Sequence, residues 1–434
     1  MRAAALAAVL WLGACGEATV LPLRADEGVR PRLAEPVRTL VPTVNIAPAQ
    51  RWPAGTAPQA AAGWKLSNLA AGLDHPRWLF VLPNGDVLVA ESNAPKRPAD
   101  SPGIKGWIMR LVMARAGAGV PSANRIRLLR DVDRDGVAER REIFAEGLNS
   151  PFGMALVGDR FYVANTDAVL EFAYRDGQTK LDPPLRRLTE LPAGDINHHW
   201  TKSLIASLDG SKLFVGVGSN SNVAENGLAA EEGRAAVWEI DRVSGSKRLF
   251  ASGLRNPVGL AWLPAAQGAP RLWAVVNERD ELGSDLVPDY LTAVDDGAFY
   301  GWPFSWWGNH ADQRVTAPDP RRATPVRVPD FSLGSHVAPL GLAAGRLGGR
   351  EGVFVGLHGS WNRRPHSGYK VVFVPFEQGT PQGLAQDVLT GFLDAEGRAR
   401  GRPVGVAVDT QGALLVADDV GNTVWRLAPA RALP

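Results

Sequence analysis

Cysteine is almost absent from this 434-residue chain, whose one cysteine is Cys15. The remainder of the chain therefore has no thiol to oxidise in an oxidising compartment, and no disulfide framework is possible. The chain also has no large excess of positive or negative charge, because its formal net charge is +2 and no basic tract occurs. Nothing therefore indicates a nucleic-acid partner. No long stretch keeps a helical period, which excludes a helical bundle.

Turn-forming and aromatic residues are plentiful instead. The chain has 47 glycines, 33 prolines and 14 tryptophans, against only four methionines. This composition is globular, with heavy use of turns, and the aromatic content favours a β-rich protein. The length allows one large domain or two ordinary ones.

The first residues resemble a bacterial export signal. The apolar run Ala3–Leu12 follows a single arginine and is too short to span a bilayer as a permanent helix. It leads to Cys15 through a small-residue pattern similar to that of lipoproteins, in which the cysteine is lipidated. The alternative is a buried free thiol. We expect residues 1–15 to be a signal, residues 16–60 (rich in Pro and Ala) a tether, and residues 61–434 the folded domain. The protein would then be periplasmic and contact a membrane only through its lipid.

Six loosely similar units follow along the chain. Each has a polar lead-in, an apolar strand, a turn with Gly or Asp, and a second apolar strand that ends in a polar residue. The units begin at Gly72, Gly147, His199, Gly253, Gly334 and Gly401. Radial repetition of antiparallel strand units predicts an all-β, six-bladed β-propeller. The innermost strands of a propeller line a central channel, so the lead-ins are expected to meet at one mouth.

The residues expected at this mouth are cations, imidazoles and amides. They are Arg255, Arg402, His75, His199, His336, Asn149 and Asn256, with Asn220, His358 and Arg363 nearby. Arginines bind carboxylates and phosphates with paired hydrogen bonds. A histidine among arginines has a lowered pKa, which favours the neutral form that acts as a base. The pattern predicts a site for a polyanionic ligand with a base beside it.

The segment "DVDRDGVAERRE" (131–142) has the spacing of a calcium-binding loop. Alternating residues before it, and Gly and Pro soon after it, favour strands rather than the two helices of an EF-hand. We therefore predict a β-hairpin loop closed by calcium. Its expected ligands are Asp131, Asp133, Asp135, the Val137 carbonyl and Glu142. A solvated acidic turn without an ion is the alternative.

Four further segments carry a family resemblance: "GLRNPVGLAW", "NERDELGSDLVPDYLTAVDDGAFYGWP", "HVAPLGL" and "HGSWNRRP". In this order and spacing they resemble the sorbosone dehydrogenase-like branch of the soluble quinoprotein glucose (aldose sugar) dehydrogenases. The resemblance covers about residues 65–428. It implies a propeller that binds pyrroloquinoline quinone (PQQ) and calcium. It also implies oxidation of a sugar hydroxyl or hydrated aldehyde, with electrons passed to a periplasmic cytochrome c or quinone.

The resemblance also assigns roles to residues. His199, ten residues before Asp209, matches the catalytic base, and the pair Arg255 and Asn256 matches residues that contact the quinone. Arg402 matches the first of two arginines that bind a cofactor carboxylate; Val404 replaces the second. The loop after Glu278 matches the one that binds the cofactor calcium, which implies Asp280 and Glu281 as ligands because the usual Gly-Pro is absent. Arg363 is the substitute for a missing lysine. The resemblance thus implies His199 and Arg255 as the catalytic pair.

Two other readings of the propeller remain open. A calcium-dependent lactonase would need carboxylates and amides from several blades around a central metal, whereas the lead-ins here are dominated by Arg and His. A non-catalytic envelope propeller that has lost its cofactor is the second.

Overall fold

The predicted strand pairs each extend into an antiparallel sheet of at least four strands, and these six sheets form the predicted six-bladed β-propeller. The structure is a computed structural model. It describes residues 17–39, 43–95, 114–117, 119–315 and 325–430, so Cys15 and the expected signal lie outside the described residues. Within these ranges no helix has the length and apolarity needed to cross a membrane.

The blades follow one another in chain order, each built from its innermost strand outward. Blade 1 contains β4 (Pro76–Val81), β5 (Val87–Glu91), β6 (Arg125–Arg130) and β7 (Arg140–Ala145); blade 2 contains β8 (Met154–Val157), β9 (Arg160–Ala164), β10 (Ala168–Ala173) and β11 (Arg186–Glu190). Blade 3 contains β12 (Lys202–Ala206), β13 (Lys212–Val217), β14 (Ala236–Asp241) and β15 (Lys247–Ser252); blade 4 contains β16 (Asn256–Leu263), β17 (Arg271–Asn277), β18 (Pro288–Val294) and β21 (Phe331–Ser335). Blade 5 contains β22 (Pro339–Leu347), β23 (Arg350–Leu357), β24 (Lys370–Glu377) and β26 (Gln386–Thr390); blade 6 contains β27 (Pro403–Val408), β28 (Leu414–Asp418), β29 (Thr423–Pro429) and β3 (Trp64–Ala71).

The two ends of the propeller sequence meet in blade 6. Its outermost strand, β3, comes from the N-terminal side of the chain and pairs with the last strand, β29, which closes the ring. Short elements complete the fold: β1 (Glu27–Gly28), β2 (Gln59–Ala60), β19 (Ser305–Trp306), β20 (His310–Ala311), β25 (Thr380–Pro381) and a 3-10 helix at Leu228–Glu231. This pairing joins the N-terminal and C-terminal parts of the propeller in one sheet.

The hydrophobic core lies between neighbouring sheets. Trp78 of blade 1 packs on Phe152 at the start of blade 2, and Trp273 of blade 4 packs on Phe376 of blade 5. Near the axis the innermost strands approach so closely that side chains are excluded. A Cβ atom on Gly341 would lie 2.4 Å from the Val404 carbonyl oxygen. Gly259 and Gly405 also lie close to a neighbouring innermost strand, so glycine permits close packing at β16, β22 and β27.

Residues 17–39 and 43–60 do not form the free tether expected from their composition; they pack on the propeller, and we call them the arm. β1 pairs with β21, and β2 pairs with β26. Asp26 is buried and accepts a hydrogen bond from the Ser335 backbone. Trp52 donates its indole N–H to Asp418. The tether was predicted because the arm has no repeating pattern of apolar residues. Its irregular backbone forms hydrogen bonds with propeller loops, and such contacts leave no local pattern in the sequence.

Candidate functional site

The predicted mouth is formed by twelve chain segments rather than six. Each innermost strand pairs antiparallel with the second strand of its blade, so the start of one lies beside the end of the other. Asn256 pairs with Asn277, and Pro403 pairs with Asp418. Residues that follow second strands therefore share the mouth with the lead-ins. These residues include Ser219, Asp280, His358 and Asp419.

The His199 ring is held by the end of the second strand of its own blade. Its Nδ1 lies 2.9 Å from the Ser219 carbonyl oxygen and 3.1 Å from the Ser219 hydroxyl. A carbonyl can only accept, so Nδ1 carries the proton and Nε2 keeps its lone pair. Burial, then the neighbouring His198 and Arg255, lower the pKa of His199 well below its ordinary value. The structure thus presents a neutral imidazole with a basic Nε2 at neutral pH.

His198 is exposed, and its ring meets that of His199 edge to face with the centroids 4.7 Å apart. Asn256 lies on the other side: a Cβ on Gly218 would meet Asn256 Oδ1 at 2.3 Å and His199 Cβ at 2.5 Å. Only a glycine at position 218 lets the base and the amide approach each other from adjacent blades.

Arg255 is buried and links blades 3 and 4. It donates to the Glu278 carbonyl at 2.7 Å, and to Asn222 Oδ1 and Asp280 Oδ2, each at 3.1 Å. Asn222 itself accepts from the Asp280 backbone N–H at 2.8 Å. The guanidinium is therefore fixed close to His199 by a network that the lead-in residues alone did not reveal.

Asp280 lies at the centre of this network. Its Oδ1 accepts from Asn362 at 2.8 Å and lies 3.5 Å from His336 Nδ1. Burial opposes ionisation, but Arg255 and then His336 outweigh it and lower the pKa of Asp280 to about 2. The His336 ring is likewise buried, which disfavours its charge, but Asp280 outweighs burial and raises the pKa of His336. The pair is held as carboxylate and imidazolium.

A second buried network occupies the side of the mouth formed by blades 1, 5 and 6. Asp419 Oδ2 accepts from His358 Nε2 at 3.0 Å and pairs with Arg77, and the His75 ring lies 3.6 Å away. Arg402 is buried next to it, with its guanidinium 4.9 Å above the Tyr369 ring and donating to the Ala47 carbonyl of the arm. Arg77 also lies 5.9 Å from the ring of Trp200, which follows His199. This contact brings the second network next to the chain segment that carries His199.

The remaining predicted residues lie at the edge of this arrangement. Asn149 is exposed, and Asn220 is buried with its amide bonded to the Ala230 carbonyl. Arg363 donates to the Ser284 carbonyl at 2.9 Å and pairs with Asp285 at 3.2 Å, next to the arm. Glu281 is exposed and pairs with Arg314 at 2.8 Å.

Asp419, Asn222 and Arg77 were not found from the sequence. A usable signal existed, since "VADD" at the end of β28 occupies the same place in its blade as "NERD" at the end of β17. Both segments put a carboxylate just beyond a second strand.

The acidic loop forms the predicted hairpin turn between β6 and β7. Asp131, Asp133 and Asp135 lie together, but their fourth partner is Glu139, with the possible ligand atoms all within 4.8 Å of one another. Glu142 was predicted wrongly for this role. It is already in β7, where it pairs with Arg140 at 2.9 Å. In an EF-hand the twelfth residue is on a helix that returns to the ion, whereas here the chain re-enters the sheet at Arg140.

The chain is similar in sequence and in fold to several described proteins. A family model described as "TrAA12-like" matches residues 305–430, and one described as "Domain of unknown function (DUF7133)" matches residues 72–263. Over 219 residues the chain is 53% identical to a pyrroloquinoline quinone-dependent pyranose dehydrogenase of Coprinopsis cinerea. That alignment covers 41% of this chain and 30% of the fungal protein.

Two solved structures match most of the chain. The Trichoderma reesei Carbohydrate-Active Enzymes Family AA12 protein has a TM-score of 0.68 at 21% identity, covering 90% of this chain and 100% of that one. The PQQ domain of the Coprinopsis cinerea pyranose dehydrogenase, in its holo form, has a TM-score of 0.66 at 20% identity, covering 88% and 100%. At these identities the likeness establishes the fold; the sorbosone dehydrogenase-like branch stays a prediction.

Proposed function

We propose that the protein is an oxidoreductase that oxidises sugars with PQQ as its cofactor. The observation that carries the proposal is His199, a neutral base whose Nδ1 is fixed by Ser219, next to the buried cation Arg255 at the mouth of the propeller. Named relatives with this fold include a PQQ-dependent pyranose dehydrogenase, which supports the choice of cofactor and substrate class. The group oxidised would be a sugar hydroxyl or a hydrated aldehyde.

The residues present fit a flat, polyanionic cofactor. Four buried polar atoms in the mouth have no hydrogen-bond partner among the described residues: the donors Arg77 Nε and Arg402 Nε, which suit carboxylates, and the acceptors Asn256 Oδ1 and Asp419 Oδ1, which require an N–H or O–H donor. Buried polar groups are normally satisfied, so such a concentration indicates a missing ligand. Arg402 and Arg77 would bind carboxylates of PQQ, while Asn256 and Arg255 would lie near its quinone oxygens.

The chain's own residues supply the acid–base part of the reaction. When bound, PQQ provides the acceptor for the hydride that leaves the sugar carbon. His199 Nε2 takes the proton of the sugar hydroxyl, which it can do because the neutral form is populated at neutral pH. Arg255 is held as a cation and stabilises negative charge that develops beside it. Asp280 keeps Arg255 in place and does not itself exchange a proton.

The contacts of Asp280 and Glu281 do not fit the calcium ion expected there. Both Asp280 oxygens accept hydrogen bonds, from Asn362 and Arg255, and Glu281 pairs with Arg314. A cation between the two carboxylates would have to displace these partners.

Titration of the apoprotein with PQQ tests the proposal. We expect a stoichiometric quinone absorbance on the protein and reduction of an artificial electron acceptor when a sugar is added. Arg402→Gln should weaken PQQ binding, because it removes a buried cation at the carboxylate end. Protein that retains no quinone at any concentration, or that hydrolyses lactones without reducing the acceptor, would contradict the proposal.

The pH dependence should report the environment of His199. Arg234 is buried and donates to the Gly218 carbonyl at 3.3 Å and to Asn197 Oδ1 at 3.1 Å, so it braces the chain on both sides of the histidine. Its charge also contributes to the lowered pKa of His199. We expect wild-type kcat/KM to hold until well below pH 6.5. In Arg234→Met the fall of kcat/KM at low pH should begin at a higher pH, because the His199 imidazole is protonated more easily.

Profiles of kcat/KM from pH 4 to 8 measure this shift. Arg248→Met is the matched control, since Arg248 is an exposed arginine of the same blade, paired with Glu239. An acid limb at the same pH in Arg234→Met and wild type would show that Arg234 acts only on stability.

We propose that the acidic hairpin binds calcium through Asp131, Asp133, Asp135 and Glu139, with a structural role. An ion that binds only the folded state stabilises it by mass action. Calcium should raise the melting temperature of the wild type, whereas Asp133→Asn should reduce that rise without affecting PQQ binding. Glu142→Gln is the matched control and should respond like the wild type. Equal calcium responses in Asp133→Asn and wild type would leave only a solvated acidic turn.

The cellular setting remains a proposal from the sequence. We propose that Cys15 is lipidated, that the propeller works in the periplasm, and that electrons pass to a cytochrome c or a quinone. The mass of the mature N-terminus, which should begin at a lipidated Cys15, tests the anchor.

A further inference from the structure

A cavity of about 240 Å³ lies where the arm crosses the mouth. It is lined by Val37, Arg38, Thr39 and Thr43 of the arm, and by Arg279, Glu281, Gly283, Arg314, Trp361 and Asn362 of the propeller loops. We propose that this cavity binds the charged end of an anionic sugar, so that the substrates are sugars bearing a carboxylate or a phosphate. The inference rests on the proposed function and names its substrate class.

The cavity shares a wall residue, Asn362, with the network that holds Arg255. Asn362, in its wall, donates to Asp280 Oδ1 at 2.8 Å, and Asp280 Oδ2 accepts from Arg255. Two other wall residues, Arg279 and Glu281, flank Asp280 in the chain. An anionic group in the cavity would therefore lie next to the wall residue that contacts the Asp280–Arg255 pair. Sites for drug-sized ligands have volumes of about 300–1,000 Å³. The cavity is smaller than these sites, and its volume suits a single sugar unit.

The wall offers groups that recognise a sugar. Asn362 is buried, and its Oδ1 has no hydrogen-bond partner among the described residues. This orphan acceptor requires a donor, which a sugar hydroxyl supplies. Trp361 is half-buried and gives the cavity an aromatic surface against which a sugar ring can pack.

The charges of the wall select an anion. Arg279 is fixed by Asp312 and by the Asp280 carbonyl, and Arg314 is balanced by Glu281 at 2.8 Å, with Glu225 farther away at 3.9 Å. Arg38 is exposed and has no ion pair within the part of the chain that the structure describes. Among the described residues of the cavity wall, Arg38 is thus a cation that no carboxylate pairs with. An anionic group between Arg38 and Arg314 would complete the balance.

The test compares neutral and anionic forms of one sugar on the full-length, PQQ-loaded protein. The pairs are glucose with glucuronate, galactose with galacturonate, and glucose with glucose 6-phosphate. We expect kcat/KM to be at least about tenfold higher for one anionic form than for its neutral partner. The anionic form that shows the higher kcat/KM, uronate or phosphate, identifies the anion that the cavity binds. In Arg38→Gln the ratio should fall toward one through loss of the anionic sugar's kcat/KM. Arg32→Gln, the same charge change at an exposed site of the arm outside the cavity, should keep the wild-type ratio.

Calorimetry on apoprotein with the same sugars separates this inference from the proposed function. The inference is supported if the apoprotein binds the anionic sugar and this binding weakens in Arg38→Gln but not in Arg32→Gln. If that result is found and no sugar is oxidised, only the proposed function fails. Oxidation of neutral and anionic sugars with equal kcat/KM, with Arg38→Gln indistinguishable from wild type in both assays, would overturn the inference and leave the proposed function intact.

Discussion

The His199→Ala variant is expected to bind PQQ nearly as the wild type does, yet to oxidise sugar at least about a hundredfold more slowly. A lost general base typically costs roughly 10²–10⁴-fold in rate. Binding should persist because the cofactor would be held mainly by Arg402, Arg77 and Asn256, none of which bonds to the His199 side chain. Single-turnover rates with saturating sugar, together with a PQQ titration, separate the two quantities.

His198→Ala is the matched control. His198 is exposed and its ring meets that of His199 edge to face, whereas Ser219 holds the ring of His199. Its removal should therefore cost far less in rate, and it should let the pKa of His199 rise, since His198 is one of the groups that lower it. If His198→Ala were the slower variant, the assignment of the base would be reversed. If neither variant changed the rate, the base would lie in another blade.

The second large effect is expected at Asp280. Asp280→Ala leaves Arg255 and the His336 imidazolium buried without their shared counter-charge. Removal of one partner from a buried ion pair typically destabilises a protein by about 3–5 kcal/mol. We expect a loss of that order in the free energy of unfolding, measured by urea denaturation, and weaker PQQ binding because Arg255 is no longer fixed. A variant as stable as the wild type would mean that water or another group already balances these charges.

Asp280→Asn is the more conservative variant and gives a pH signature. Its amide oxygen can still accept from Asn362, but the charge is gone. In the wild type, the raised pKa of His336 contributes stability below pH 6.5 that is lost as pH rises through the folded-state pKa. The lowered pKa of Asp280 contributes stability above pH 3.8 that is lost as pH falls toward 2. The stability gap between wild type and Asp280→Asn should therefore be largest between pH 3.8 and pH 6.5, and it should shrink as pH rises through the folded-state pKa of His336 and as pH falls toward 2.

The blades could be predicted from the sequence because each depends on local features. A turn and two apolar strands recur in every unit, and the glycines of the innermost strands mark the close approach at the axis. The lead-in residues His199, Arg255, Asn256 and Arg402 could be chosen for the same reason, since a fixed place in a repeated unit fixes a place in the ring.

The rest of the site depends on contacts between distant parts of the chain. Asp26 and Ser335 bond across 309 residues, and Ala47 accepts from Arg402 across 355. Such contacts leave no period in the sequence, so the arm was predicted as a tether and its cavity was not foreseen. The choice of Glu142 failed differently: the spacing of a helical calcium loop was applied to a hairpin, in which Glu139 is the residue that faces the aspartates.

The most direct measurement of the central claim is the reduction of bound PQQ by sugar in the absence of oxygen and of any other acceptor. Wild-type protein is loaded with one equivalent of PQQ and mixed rapidly with sugar while the quinone absorbance is followed. The account predicts complete reduction of the bound cofactor in one turnover, with His199→Ala loaded equally but reduced at least about a hundredfold more slowly. Bound PQQ that stays oxidised in the wild type with neutral and anionic sugars alike would contradict it.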